Sequence, residues 1–185
     1  PEIKSNTEIK QLATAITVLT EKFNQEEAGK SFRAALATDG SWVPAHVGLA
    51  RTMTESNPPV ARDIVTKALA INPYSVPALL VLAELELNDD KQVEASTIIQ
   101  RALTVNPNSL EALSLQASIH YVQGRLTRFD QITKNILTIN PLFGDVYRIT
   151  GKHAARNYRF DEAVVLTRRA LEIDSTISQA WSELG

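Results

Sequence analysis

Apolar and small residues recur along this chain of 185 residues at the spacings of an α-helix. Leu79, Leu82, Ala83 and Glu86, for example, are separated by three or four residues, which places them on one helical face. No stretch alternates apolar and polar residues as a β-strand does. The pattern therefore predicts an all-α protein, with helices over residues 7–22, 25–38, 41–55, 58–71, 75–88, 91–105, 109–123, 126–139, 143–157, 160–173 and 177–185.

The helices come in pairs that repeat about every 34 residues. The dipeptide Asn-Pro occurs at residues 72–73, 106–107 and 140–141, and Asp39-Gly40 and Asp174-Ser175 are degraded copies in the same register. Proline lacks an amide hydrogen and disfavours helix in the residue before it, so Asn-Pro ends the second helix of each pair. Small residues keep the same period and allow helices to approach closely; they are Ala50, Ala83, Ala117, Gly151 and Gly185, then Ala28, Ala61, Ala95 and Ala163, and Ala35, Ala68, Ala102 and Ala170.

Such a pair is too small to bury its apolar face alone, so neighbouring pairs are expected to stack. We therefore predict a single array over residues 1–185, with units at about 7–38, 41–71, 75–105, 109–139 and 143–173 and a truncated first helix at 177–185. The chain starts at Pro1 and stops inside a predicted helix, and we interpret it as a fragment of a longer protein.

A helix pair of this length, with small residues at fixed points and a closing proline, resembles the tetratricopeptide repeat family. Residues 180–185 read Ala-Trp-Ser-Glu-Leu-Gly, similar to the opening of a family repeat, and residues 160–163 and 169–171 are similar to its second helix. The resemblance covers residues 24–185. It implies a right-handed superhelical solenoid of antiparallel helix pairs, in which the first helix of each pair lines a concave groove that binds peptides or partner proteins.

Composition excludes several other classes of function. The formal net charge is −2 with a pI near 6.0, which argues against a broad nucleic-acid surface. The chain has no cysteine, so disulfides, zinc–thiolate sites and cysteine nucleophiles are absent. No apolar run is long enough for a membrane span. We predict neither a nucleic-acid partner nor a membrane span, and these patterns do not identify a compartment.

Catalytic motifs are lacking. The three histidines, His46, His120 and His153, fall in different units, and no two have the spacing of metal ligands on one helix. Ser and Thr occur without a Gly-x-Ser-x-Gly elbow or a phosphate loop. Neighbouring carboxylates at residues 84 and 86 and at 89 and 90 are interpreted as solvated faces. The sequence therefore predicts no enzyme activity, no metal and no cofactor.

If the family's groove is present, its lining can be assigned by position in the first helices. The candidates are Val47, Arg51 and Thr54; Leu80, Glu84 and Leu87; Ser114, Ser118 and Tyr121; and Arg148, Lys152 and Arg156. The apolar members Val47, Leu80, Leu87 and Tyr121 favour a partly apolar groove. The alternative is that these side chains pack between adjacent repeats.

Arg148, Lys152 and Arg156 form a basic stripe, because they recur at i, i+4 and i+8 on one helix. Like charges at this spacing destabilise a helix by about 0.2–0.5 kcal/mol per pair. One interpretation is that the stripe binds an acidic group of a partner. The alternative is that Asp145 and Glu183 neutralise it, as in an ordinary solvated face.

One repeat departs from the pattern, because Phe129 and Ile136 stand where the other units have alanine. One explanation is compensation by small neighbours such as Ala117 or Ser118. The other is a wider helix crossing, in which helices 109–123 and 126–139 sit farther apart than the pair within 75–105.

The leading functional hypothesis is a non-catalytic scaffold that binds a peptide or partner protein in its groove. A second is that the array recruits or regulates within a larger enzyme whose catalytic domain lies outside the chain. A third is a spacer or self-assembly element, including a weak homodimer through the array ends, since exposed ends of repeat arrays need polar caps for solubility.

Overall fold

The computed structural model describes residues 25–184, and within that range it contains ten α-helices and no strand. In chain order they are α1 Gln25–Thr38, α2 Val43–Arg51, α3 Pro58–Ile71, α4 Val76–Asn88, α5 Gln92–Val105, α6 Leu110–Val122, α7 Leu126–Ile139, α8 Asp145–Arg156, α9 Phe160–Ile173 and α10 Ser178–Leu184. The all-α prediction is confirmed. The predicted helix 7–22 lies outside the described residues.

The observed helices begin and end close to the predicted positions, with α2 as the largest difference. It stops at Arg51, whereas the sequence pattern extended it to residue 55. The chain then tightens into turns, in which the amide of Met53 donates to the carbonyl of Ala50. Asn57 starts the next helix, because its side chain accepts from the amide of Val60 and prolines follow at the first helical positions.

In the described range, the second helix of each pair is followed by an asparagine or aspartate whose side chain caps the turn. Its oxygen accepts a hydrogen bond from the amide two residues later, at 2.9–3.1 Å, and its own amide donates back to the last helical turn. The residues concerned are Asp39, Asn72, Asn106, Asn140 and Asp174. The aspartates at the two degraded copies therefore make the same turn without a proline.

The chain divides into two compact units, Pro1–Leu85 and Glu86–Gly185. In the first unit, Phe32 of α1 packs over Gly48 of α2 so closely that a methyl group at Gly48 would lie 2.3 Å from the ring. A second cluster joins α2, α3 and α4 through buried residues that include Val47, Val65 and Val81. Apolar burial and a glycine at the closest approach therefore hold these helices together.

In the second unit, α6 packs against both α7 and α8, α8 packs against α9, and α9 packs against α10. The predicted small residues lie at these contacts. Ala170 is fully buried and Ala163 nearly so. A methyl group on Gly151 of α8 would lie 2.9 Å from the Thr167 hydroxyl of α9. The prediction that Ala163 and Ala170 are buried is confirmed.

The exceptional repeat buries both of its large residues, Phe129 and Ile136. The Phe129 ring lies edge-on to Tyr121 of α6 at a centroid distance of 5.0 Å and to Tyr147 of α8 at 6.1 Å. Phe129 thus fills the space between successive first helices with aromatic contacts. The wider helix crossing stays a prediction.

Candidate functional site

The apolar side chains expected in a groove are mostly inside the protein. Leu80 and Leu87 of α4 are 1% and 8% exposed, and Val47 of α2 is also buried. Because α4 carries apolar residues on all sides, it is a core helix, and it offers these leucines no accessible face. This burial favours the packing alternative for Leu80 and Leu87, and their place in a binding groove stays a prediction.

Ser114 and Ser118 of α6 are likewise fully buried. Each hydroxyl donates to a carbonyl of its own helix, that of Leu110 and that of Leu115 respectively. Since these hydroxyls already have acceptors inside α6, neither serine presents a polar group to a partner. Arg51 differs from them, because it is exposed at the end of α2 in the first unit.

Arg148 is the innermost member of the basic stripe on α8. Its guanidinium donates through Nε to Asp145 and through Nη1 to Glu183 Oε1 of α10 at 3.2 Å, and its side chain is 18% exposed. Burial lowers the pKa of Arg148, but the two carboxylates raise it by more, so the net shift is upward. The prediction that Asp145 and Glu183 neutralise Arg148 is confirmed.

Lys152 and Arg156 continue the stripe along α8 towards its C-terminal end. Lys152 is half-buried and Arg156 is exposed. Burial raises the pKa of the Glu183 carboxyl, while the charges of Arg148 and Lys152 act in the opposite direction. One face of α8 therefore binds a carboxylate of another helix through Arg148, and the stripe continues past this contact to Lys152 and Arg156.

Tyr121, another groove candidate, belongs to a polar cluster that the sequence did not indicate. Its hydroxyl donates to Glu162 Oε2 of α9 at 2.5 Å, and Glu162 also accepts from Arg159. The Arg159 guanidinium lies 4.9 Å from the centre of the Tyr121 ring and donates to the Tyr121 carbonyl at 3.3 Å. Tyr121 therefore links α6 to the start of α9.

These contacts change the acidity of both partners. Burial, reinforced by the hydrogen bond to Glu162, raises the pKa of Tyr121 to about 12. Arg159, followed by Tyr121, lowers the pKa of the Glu162 carboxyl. The spacing of Arg159 and Glu162 on one helical turn is visible in the sequence, whereas the contact with Tyr121 spans 41 residues and follows from the packing alone.

The histidines remain dispersed in the structure. His46 bonds the carbonyl of Gly40 through Nε2 at 2.9 Å, His120 is half-buried and His153 is buried within α8. In the part of the chain that the structure describes, no group of three or more His, Asp or Glu residues lies close enough together to hold a metal ion.

An open hollow of about 310 Å³ lies between α7 and Tyr147 of α8. Its rim carries one acidic and one basic side chain, Asp130 and Lys134, and Thr133 forms part of its wall. With opposite charges at the rim, the hollow has no net charge that would select a ligand.

Comparison with known proteins assigns the repeats. Residues 53–119 match the model of the tetratricopeptide repeat family. This segment covers α3 to α5 and most of α6, and it lies inside the region where the sequence shows the 34-residue period. The resemblance noted in the sequence is thus confirmed: the chain contains tetratricopeptide repeats and has the all-α solenoid fold of these proteins.

Solved structures show the same fold at low sequence identity. TTC0263, a thermophilic tetratricopeptide repeat protein of Thermus thermophilus, is 17% identical, with a TM-score of 0.70 over 95% of this chain and 98% of that one. MamA is 19% identical, with a TM-score of 0.54 over 92% and 93%. YrrB, described as having an unusual peptide-binding site, is 20% identical, with a TM-score of 0.50 over 90% and 87%.

No curated protein matches the sequence. Within residues 25–184, the helices are too short or too polar for any of them to cross a membrane.

Proposed function

We propose that this chain is a non-catalytic scaffold that binds a peptide or partner protein, and that the basic stripe of α8 anchors an acidic group of that partner. The observation that carries the proposal is that this face binds a carboxylate within the chain itself. Glu183 reaches it from α10, 35 residues away from Arg148 in the sequence. A basic face that binds one carboxylate has the chemistry to bind another.

The anchor is assigned to Lys152 and Arg156 rather than to Arg148. Arg148 is mostly buried, so it positions Glu183 within the chain and leaves little surface for a partner. Lys152 and Arg156 lie one and two turns further along α8, where exposure increases. YrrB, described as having an unusual peptide-binding site, supports the choice of a peptide as the ligand class.

The test starts with a pull-down by the whole chain, followed by affinity measurement with the purified partner. We expect Lys152→Glu with Arg156→Glu to weaken binding at least about tenfold, because two attractive charge contacts become repulsive. Arg148 is left unchanged, so its ion pairs persist. The matched control is Lys134→Glu with Arg168→Glu, which makes the same change in net charge at exposed positions on second helices.

Helix content by circular dichroism should be unchanged in both double variants. Equal affinity in the stripe variant and the wild type, or an equal loss in the control variant, would remove α8 as the anchor.

A further inference from the structure

Three equivalent turns in the second unit place a residue in the left-handed region of backbone conformation. They join the two helices of successive pairs, and the residues are Asp90 with φ 59°, Gly124 with φ 74° and Tyr158 with φ 61°. Glycine adopts this conformation freely and aspartate is enriched there, whereas a tyrosine is strained. Strained residues cluster at functional sites, so Tyr158 calls for an explanation.

Packing in the protein interior does not compensate Tyr158 for this backbone strain, because its ring is exposed. Its side chain is 84% exposed, and its ring contacts the ring of Phe160, itself 61% exposed, edge-on at a centroid distance of 6.3 Å. Two exposed aromatic rings in contact form a preorganised apolar platform. Tyrosine of this kind is enriched at the centres of protein–protein interfaces.

The preceding turn supplies positive charge. Arg125 makes no side-chain hydrogen bond or ion pair with any residue between 25 and 184, and the Arg128 guanidinium donates to the neutral amide of Gln131. Burial, followed by the charges of Arg125 and Arg128, lowers the pKa of His120 nearby. Two guanidiniums are thus crowded on one turn without a carboxylate partner, an arrangement that favours an anion from outside.

The charge of the surrounding chain has the same sign. Residues 120–162, which span both turns, contain seven Lys and Arg against four Asp and Glu, whereas residues 76–119 contain two against six, in a protein of net charge −2. The basic excess is therefore concentrated where these two turns lie, and it steers acidic partners towards them.

Hydrogen bonds connect the two turns through the end of α6. Arg159, next to Tyr158, donates to the carbonyl of Tyr121 at the end of α6, and the amide of Arg125 donates to the carbonyl of His120 on the same last turn. Because α6 and α8 pack against each other, we expect their axes to lie about 8–10 Å apart. A few residues of extended chain, at about 3.3 Å each, span that distance.

We propose that Arg125, Arg128, Tyr158 and Phe160 form a second docking surface, the basic–aromatic edge, for a linear acidic segment of a partner protein. Carboxylates of the segment pair with Arg125 and Arg128, and an apolar side chain packs on the rings of Tyr158 and Phe160. This edge uses the turns between helices and not the stripe of α8, so it does not depend on the function proposed above.

The probe is a fluorescein-labelled octapeptide in which Glu and Leu alternate, and its anisotropy is measured with the whole chain. We expect binding that weakens with added salt, and no binding of the same peptide with Lys in place of Glu. Arg125→Glu with Arg128→Glu should weaken it at least about tenfold, and Tyr158→Gly at least about fivefold. Lys152→Glu with Arg156→Glu makes the same change in net charge in the same region, and it should weaken binding clearly less than Arg125→Glu with Arg128→Glu does, which separates this edge from the α8 stripe.

Tyr158→Gly also relieves the backbone strain, so its unfolding midpoint should equal or exceed that of the wild type. Its loss of binding then cannot come from unfolding. Asp90→Gly is the matched control, because it relieves the same conformation in the equivalent turn and should bind the peptide as the wild type does. The proposal is overturned if the wild type does not bind the Glu-Leu peptide, if Tyr158→Gly binds equally well, or if Asp90→Gly weakens binding as much.

Discussion

Helices α4 and α8 occupy the same place in two repeats, 68 residues apart, yet they have opposite surfaces. At corresponding positions α4 has Leu80 and α8 has Arg148. Leu80 is almost completely buried among other apolar residues of a core helix. Arg148 retains partial exposure and pairs with carboxylates on both sides. The repeat thus preserves the path of the backbone and leaves the chemistry of the first helix free to vary.

The comparison also shows which positions are not free. Gly151 of α8 corresponds to Ala83 of α4, and both are buried small residues. Close helix approach depends on these small positions, so they persist while their neighbours change from apolar to charged. Candidate binding chemistry is accordingly found in the repeats around α8, where polar residues occupy the variable positions.

The largest expected change in stability comes from a substitution at one of the small buried positions that the repeats share. Ala163→Arg places a charge without a partner at the contact of α9 with α8, and we expect a loss of about 3–5 kcal/mol in the free energy of unfolding, with the last helix pair melting. Val165→Arg, on the exposed side of the same helix, should change it by less than about 0.5 kcal/mol. Urea unfolding followed by circular dichroism measures both, and an unchanged midpoint for Ala163→Arg would contradict the helix register.

A smaller change in the free energy of unfolding distinguishes Leu80 of α4 from Arg148 of α8. Leu80→Ala removes a fully buried side chain and should cost about 2–5 kcal/mol. Arg148→Ala should cost about 1–2 kcal/mol, because Asp145 and Glu183, at 37% and 30% exposure, remain partly hydrated without it. Leu80→Met keeps the volume and serves as control. Equal losses for the two alanine variants would show that α8 is as much a core helix as α4.

The smallest effect concerns Tyr121, whose counterpart on α4 is the buried Leu87. The folded pKa of Tyr121 is raised to about 12 from an ordinary value of 10.0, so its contribution to stability is present below pH 10 and is lost as the pH rises towards 12. Tyr121→Phe should cost about 0.5–1.5 kcal/mol near neutral pH by removing the hydrogen bond to Glu162.

The ultraviolet absorbance of tyrosinate, taken as the difference between wild type and Tyr121→Phe, measures this titration. Glu162→Gln removes the negative charge beside the phenol, so Tyr121 should then titrate at lower pH. The pKa of Glu162 is lowered in the folded chain, so its own contribution is present above the ordinary glutamate pKa and lost as the pH falls below it. This contribution is small, because the Glu162 side chain is 42% exposed. An unchanged titration in Glu162→Gln would exclude the bond as a cause of the shift.

The turn that closes each second helix shows where a sequence pattern can be read too narrowly. The recurrence of Asn-Pro predicted the ends of the second helices correctly, and we ascribed those ends to proline. In the structure Asp39 and Asp174 make the same side-chain turn as the asparagines, although glycine and serine follow them. The oxygen on the γ carbon is the shared element, and both residue types carry it.

The sequence by itself determined the helical class, the 34-residue register, most helix boundaries and the buried small residues, although it placed the end of α2 four residues too late. These properties depend on neighbours within one or two helical turns, so periodicity and turn residues reveal them. Tertiary structure decided which first-helix side chains remain accessible. Leu80 and Leu87 became core residues, Tyr121 acquired Glu162, and Arg148 acquired Glu183. Each of these outcomes depends on the stacking of separate helices, and the partners in the two hydrogen bonds lie 35 to 41 residues apart, beyond the reach of any local pattern.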